Sequence, residues 1–104
     1  MNIEWEPFAL QDRIAIFDYI EADNPQAALS IDERIRAEVE VLAQFPELGR
    51  RGRVKDTREL VISNTPYIAV YRVMSDGVRI LRVLHGARQW PEEFPGQAEP
   101  GEPK

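Results

Sequence analysis

Apolar and polar residues alternate over the first positions of the chain, Ile3 and Trp5 against Asn2, Glu4 and Glu6, and this period of two predicts a short strand over residues 2–6, ended by Pro7. From Phe8 the period changes. Leu10, Ile14, Phe17 and Ile20, with Tyr19 alongside, recur at three and four residues and predict a helix over 7–21 that buries this stripe. Asn24-Pro25 then marks a second helix start, because the Asn side chain can accept a free amide while proline at the first helical position has none to leave unpaired. Ala28, Ile31, Ile35, Val39 and Leu42 form its stripe until Phe45-Pro46 stops it, so the two helices make a hairpin with a very short turn.

The second half reads differently. Leu48-Gly49-Arg50-Arg51-Gly52-Arg53 is a loop by composition. Arg58–Ile62, Tyr67–Met74 and Val78–Leu84 are rich in Val, Ile, Leu and Tyr and are separated by Ser63-Asn64-Thr65-Pro66 and Ser75-Asp76-Gly77. They predict a three-stranded antiparallel meander, with Asp76-Gly77 as the better turn signal. The expected class is α+β: a short N-terminal strand, then a helical hairpin packed on one face of an antiparallel sheet that ends in the meander. Size allows one core, placed in a single domain over 1–94; the Pro-, Gly- and Glu-rich residues 95–104 are expected to be a mobile tail. No internal repeat is present.

Composition narrows the chemistry. Hydrophobic residues make 43% and charged residues 30% of the 104, the balance of a soluble globular protein. No apolar run can span a bilayer and the first residues are acidic, so a cytoplasmic protein without membrane contact is expected. Without cysteine and with one histidine, thiolate chemistry and a metal site are not expected, nor is any cofactor. The net charge of −5 hides a segregation: residues 1–40 hold ten acids against three arginines, −7, whereas residues 50–88 hold nine bases against three acids, +6.

Val78-Arg79-Ile80-Leu81-Arg82-Val83-Leu84-His85-Gly86-Ala87-Arg88-Gln89-Trp90-Pro91 resembles the last strand and exit segment of RelE/ParE-superfamily toxins. Pro66–Val73 resembles the preceding strand of that family, Glu47–Arg50 its helix-to-sheet connection and Asn24–Ala28 its helical turn, so the likeness covers about residues 1–91. It implies the same strand, hairpin and meander, and an antitoxin whose extended C-terminal segment wraps the toxin in a hetero-oligomer. It also implies two activities: RelE-like members cut messenger RNA in the ribosome, and ParE-like members inhibit DNA gyrase without being known to cut anything. Fold alone does not choose between them.

An RNase needs a base or acid for the 2′-hydroxyl and leaving oxygen, and cations against the phosphate. His85, Arg82, Arg58 and Tyr67 or Tyr71 are the candidates. Ile68, however, stands where RelE-like enzymes have an arginine after the tyrosine of the penultimate strand, and only Arg58 precedes Glu59-Leu60-Val61-Ile62. The simpler expectation for His85 is a ring packed at the strand end and hydrogen-bonded to backbone. Arg50, Arg51, Arg53, Arg72, Arg82 and Arg88 are the candidates for engaging a partner; Arg72 and Arg82 have the parity to project together if the register allows. Trp90 is expected to plug the core over the helices, and Trp5, Phe8, Phe17 and Tyr19 to be core. The ParE-like exit segment, Ile68 and the acidic net charge favour a gyrase-directed toxin with no catalytic residues; the alternatives are a ribosome-dependent mRNA endoribonuclease and an inactive, antitoxin-binding corepressor.

Overall fold

A computed structural model describes residues 1–88, 90 and 91; the expected tail over 95–104 and the domain limit at 94 lie outside the described residues. The elements are β1 (Asn2–Trp5), α1 (Pro7–Glu21), α2 (Pro25–Glu40) with a 3₁₀ turn at Val41–Ala43, β2 (Arg50–Arg51), β3 (Arg58–Val61), β4 (Tyr67–Met74) and β5 (Gly77–His85). Both helices carry proline in the first turn, and Asn24 Oδ1 accepts the Ala27 amide at 3.1 Å to cap α2 as its sequence predicts. The sheet order is β1-β5-β4-β3-β2.

The meander β3-β4-β5 is antiparallel, but β1 joins β5 in parallel, Ile3 opposite Val78 and Trp5 opposite Ile80, so the five-stranded sheet is mixed. The helical hairpin is the crossover that makes a parallel return possible. The two-residue β2, inside the segment read as a loop, forms because Arg50 and Arg51 pair with Glu59 and Arg58. In β5 the register slips between Val70–Arg82 and Tyr71–Ile80, leaving Leu81 as an extra residue in a bulge.

Alternation along β4 divides the hydrophobic residues between two faces. Tyr67, Ala69 and Tyr71 join Ile35, Val39 and Leu42 of the α2 stripe under the helices; Ile68 and Val70 join Leu81 on the opposite face, where Val54, Leu84 and Trp90 cover them. Trp90 therefore does not plug the core over the helices. Its indole Nε1–H donates to the His85 carbonyl at 2.9 Å, which anchors the exit segment on the other side.

Of the stripe expected to bury α1, Ile20 packs on the core but Leu10 and Ile14 do not. Leu10 and Ile14 are exposed, Ile14 by 62%, and the helix instead faces the core through Ala9, Ile16 and Ile20. α1 is apolar on two sides about 100° apart, and the periodicity could not say which one the sheet takes. Tyr19 and Phe8, also expected in the core, are 71% and 46% exposed.

Candidate functional site

At one end of the sheet the segment 46–49 is wired to β3 and β4. Tyr71, fully buried, donates its hydroxyl hydrogen to the Pro46 carbonyl and accepts the Gly49 amide, each at 2.8 Å. A Cβ at Gly49 would lie 2.7 Å from that hydroxyl, so only glycine allows the approach. Burial pushes the Tyr71 phenol upward from its ordinary value, partly offset by the Gly49 N–H. Arg58, opposite Tyr71, donates through Nη1 to the carbonyls of Gly49 at 2.7 Å and Glu47 at 3.3 Å. Both side chains hold the connection between the helices and the sheet.

At the other end, Tyr67 and His85 are cross-strand partners and their rings meet edge to face with centroids 5.7 Å apart. His85 Nδ1 accepts the Ala87 amide at 3.1 Å, which leaves Nε2 to carry the proton of the neutral ring. Tyr67 is buried, and burial raises its phenol pKa, with Arg88 acting in the opposite sense. A groove of about 380 Å³ runs between these residues and α1, with Asp12, Ile16 and Tyr19 on one wall and Tyr67, His85 and Arg88 on the other. Tyr67 and Tyr71 are four residues apart on one strand, about 13 Å. The proposed catalytic residues thus divide between two ends of the sheet and do not converge.

Arg82 is committed elsewhere. Its Nε and Nη2 donate to the two oxygens of Asp12 at 2.7 and 2.9 Å, and Asp12 also accepts the Val83 amide at 2.9 Å. α1 thereby covers the β5 edge beyond the point where β1 ends. This bond to Asp12 raises the Arg82 pKa. Arg82 stands opposite Val70 and Arg72 follows Val70 by two residues on β4, so the register puts the two arginines on one face of the sheet as diagonal neighbours, with Arg79 directly opposite Arg72.

Of the remaining partner-binding candidates, Arg50 and Arg53 converge on Glu59, a carboxylate only 3% exposed. Arg50 donates through Nε and Nη2, and Arg53 through its backbone amide at 2.8 Å and through Nε. Arg53 also lies over the Trp90 ring at 3.5 Å. Arg51 and Arg88 are exposed. Asp12 and Glu59, which organise these arginines, were not singled out from the sequence; the available signal was a carboxylate near the core side of α1 and another inside an apolar strand.

A second surface lies on the helices. Leu10, Ile14 and Phe17 line an open apolar depression of about 470 Å³, floored by Arg13 and Asp32, which form a two-pronged ion pair at 3.0 Å. Among the described residues no cluster of metal-ligating side chains occurs, and no helix is long and apolar enough to cross a membrane.

Residues 3–90 match the family described as ParE toxin of type II toxin-antitoxin system, parDE. The chain is 47% identical over 91 residues to Y4kP of Sinorhizobium fredii, whose name designates it a toxin, covering 88% of this chain and 94% of that one. It is 38% identical over 87 residues to Toxin RelE2 of Caulobacter vibrioides, covering 84% and 97%. Among solved structures, the chromosomal ParDE toxin-antitoxin system from P. aeruginosa superposes with a TM-score of 0.74 at 29% identity, over 80% of this chain and 92% of that one. With the mixed sheet, the helical hairpin and the exit segment all matched, this chain belongs to the ParE toxin family of type II toxin-antitoxin systems, within the RelE/ParE superfamily.

Proposed function

We propose that this toxin inhibits DNA gyrase without catalysing a reaction of its own, and that a cognate antitoxin neutralises it in a hetero-oligomer. The observation that carries the reading is the dispersal of the candidate RNase residues. Tyr71 and Arg58 are consumed by the 46–49 connection, Arg82 by Asp12, and His85 and Tyr67 sit at the far end of the sheet. General acid–base cleavage needs a proton carrier and a phosphate-binding cation within reach of the same phosphodiester. Ile68, buried on the sheet face away from the helices, adds an apolar side chain where a cation would be required.

The antitoxin is assigned to the exposed stripe of α1. Leu10 and Ile14, 43% and 62% exposed, and Phe17 form an i, i+4, i+7 row that receives apolar side chains of an amphipathic segment. Arg51 and Arg88, both exposed, are assigned to acidic groups of a partner, since Arg50, Arg53 and Arg82 serve the toxin's own carboxylates.

A second reading, ribosome-dependent mRNA cleavage, is favoured by one observation: the α1 groove gathers Tyr67, His85 and Arg88. Inducible expression without antitoxin separates the readings. Growth arrest with filamentation and DNA-damage signalling on intact transcripts supports gyrase inhibition. Arrest with transcripts cut at ribosome-occupied codons overturns it in favour of His85-dependent cleavage, and unimpaired growth at verified soluble levels leaves only an antitoxin-binding corepressor.

A further inference from the structure

Hydrogen bonds converging on His85 fix the turn that leaves β5. Its Nδ1 accepts the Ala87 amide at 3.1 Å, and its carbonyl accepts the Arg88 amide at 3.1 Å and the Trp90 indole Nε1–H at 2.9 Å. The Gly86 amide donates to the Pro66 carbonyl at 2.8 Å, which ties the same turn to the residue before β4. Arg88 is thereby folded back beside His85, and it joins Tyr67 and His85 in lining the groove of about 380 Å³ against α1. Three side-chain donors meet there: the Tyr67 hydroxyl, His85 Nε2–H and the Arg88 guanidinium. None of the three has a hydrogen-bond or ion-pair partner among the described residues.

Asp12, the only acid in the described lining, does not neutralise them, because its two oxygens serve Arg82 and the Val83 amide. Burial keeps the Tyr67 phenol protonated well above neutral pH, so it stays a donor. Beneath the donors the groove is apolar, with Ala15 and Ile16 from α1 and Val83 from β5. Val83 sends its amide to Asp12, away from β4, so by strand alternation Val83 and His85 both direct backbone polar groups towards α1. The Val83 carbonyl and the His85 amide are therefore placed to pair with an extended chain.

We propose that this groove binds an extended acidic peptide and seats the carboxylate of one acidic side chain on Tyr67, His85 and Arg88. The proposal deepens the reading that Arg88 meets an acidic partner, on which it rests, and is independent of the gyrase reading. Its site is a second surface, on the side of α1 opposite the Leu10–Ile14–Phe17 stripe. One guanidinium and two neutral donors satisfy a single carboxylate, and their partial removal from water strengthens each bond. A phosphodiester chain needs a row of cations to displace its counterions, whereas Arg88 is the only arginine or lysine in the described lining. The apolar floor receives the methylene stem of the acidic side chain or an aliphatic neighbour.

The test is amide NMR of isotope-labelled toxin titrated with a blocked tripeptide that carries glutamate between two leucines. Saturable shifts are expected at Tyr67, His85 and Arg88, and glutamine in place of glutamate weakens binding about 10-fold. Arg88→Gln, at an exposed position, and Tyr67→Phe, which keeps the buried ring, each weaken the glutamate peptide by about 10-fold, while Arg34→Gln, exposed on α2, leaves it unchanged. The same spectra verify that each variant is folded. Absence of saturable shifts at these three residues, equal binding of the glutamine peptide or of acetate, unaltered affinity in Arg88→Gln, an equal loss in Arg34→Gln, or tighter binding of hexauridylate in this groove each overturns the proposal. An antitoxin that loses affinity for Arg88→Gln, with the peptide leaving the groove unshifted, keeps the assignment of Arg88 to an acidic partner and overturns only this proposal. An antitoxin indifferent to Arg88→Gln, with the peptide bound as expected, contradicts only the assignment of Arg88 to the antitoxin.

Discussion

Replacing Asp12 by alanine tests whether Arg82 is a structural residue. The substitution removes three accepted hydrogen bonds at once, two from Arg82 and one from the Val83 amide. An orphaned amide costs about 1–3 kcal/mol. Breaking a fully buried ion pair costs about 3–5 kcal/mol, but the two side chains are 22% and 16% exposed and water recovers part of that. The combined loss is therefore about 2–3 kcal/mol, a large share of the roughly 5–15 kcal/mol that holds a domain of this size together. In thermal denaturation followed by circular dichroism, Tm should fall by about 10–20 °C. Asp12→Ala and Arg82→Ala should also be strongly non-additive, with a coupling of at least about 1 kcal/mol. A loss below about 0.5 kcal/mol, or additive effects, would refute the argument and return Arg82 to the residues available to a partner or substrate.

Glu59→Ala should cost about 2–3 kcal/mol in urea denaturation, because it strips Arg50 and Arg53 of their shared carboxylate and leaves the Arg53 amide without its acceptor. Tyr67 and Tyr71 have folded pKa values raised above the ordinary value of about 10, so their contribution to stability is complete below pH ~10 and is lost as pH rises through the folded values. Tyr71→Phe should cost about 1–3 kcal/mol at neutral pH and reduce the alkaline loss measured by pH-dependent urea titration. Ile14→Glu, at a position 62% exposed, should leave toxin stability within about 0.5 kcal/mol while weakening antitoxin binding about 30-fold by calorimetry.

The architecture was legible where local signals agree. Asn24-Pro25 marked the start of α2, enrichment in Val, Ile and Tyr between two turn segments located β4 at its observed bounds, and Asp76-Gly77 marked the hairpin into β5. Legibility failed where two answers satisfy the same pattern. α1 is apolar on both the Ala9–Ile16–Ile20 and the Leu10–Ile14–Phe17 sides, and only docking against α2 and β5 selects the first. The parallel pairing of β1 and the Leu81 bulge depend on partners far away in sequence, and no residue near either one announces them. The site was less legible than the fold. Arginines could be counted, but whether each meets solvent or a carboxylate was decided by Asp12, seventy residues from Arg82, and by Glu59 buried within β3.

The proposed action of this toxin is on gyrase through its surface and not on RNA through His85. Purified toxin incubated with DNA gyrase, ATP and relaxed plasmid, in parallel with His85→Ala, tests it most directly. Gyrase inhibition gives loss of supercoiling with accumulation of cleaved plasmid, undiminished in His85→Ala; normal supercoiling, together with cleavage of ribosome-bound messenger RNA that disappears in His85→Ala, would overturn the gyrase reading.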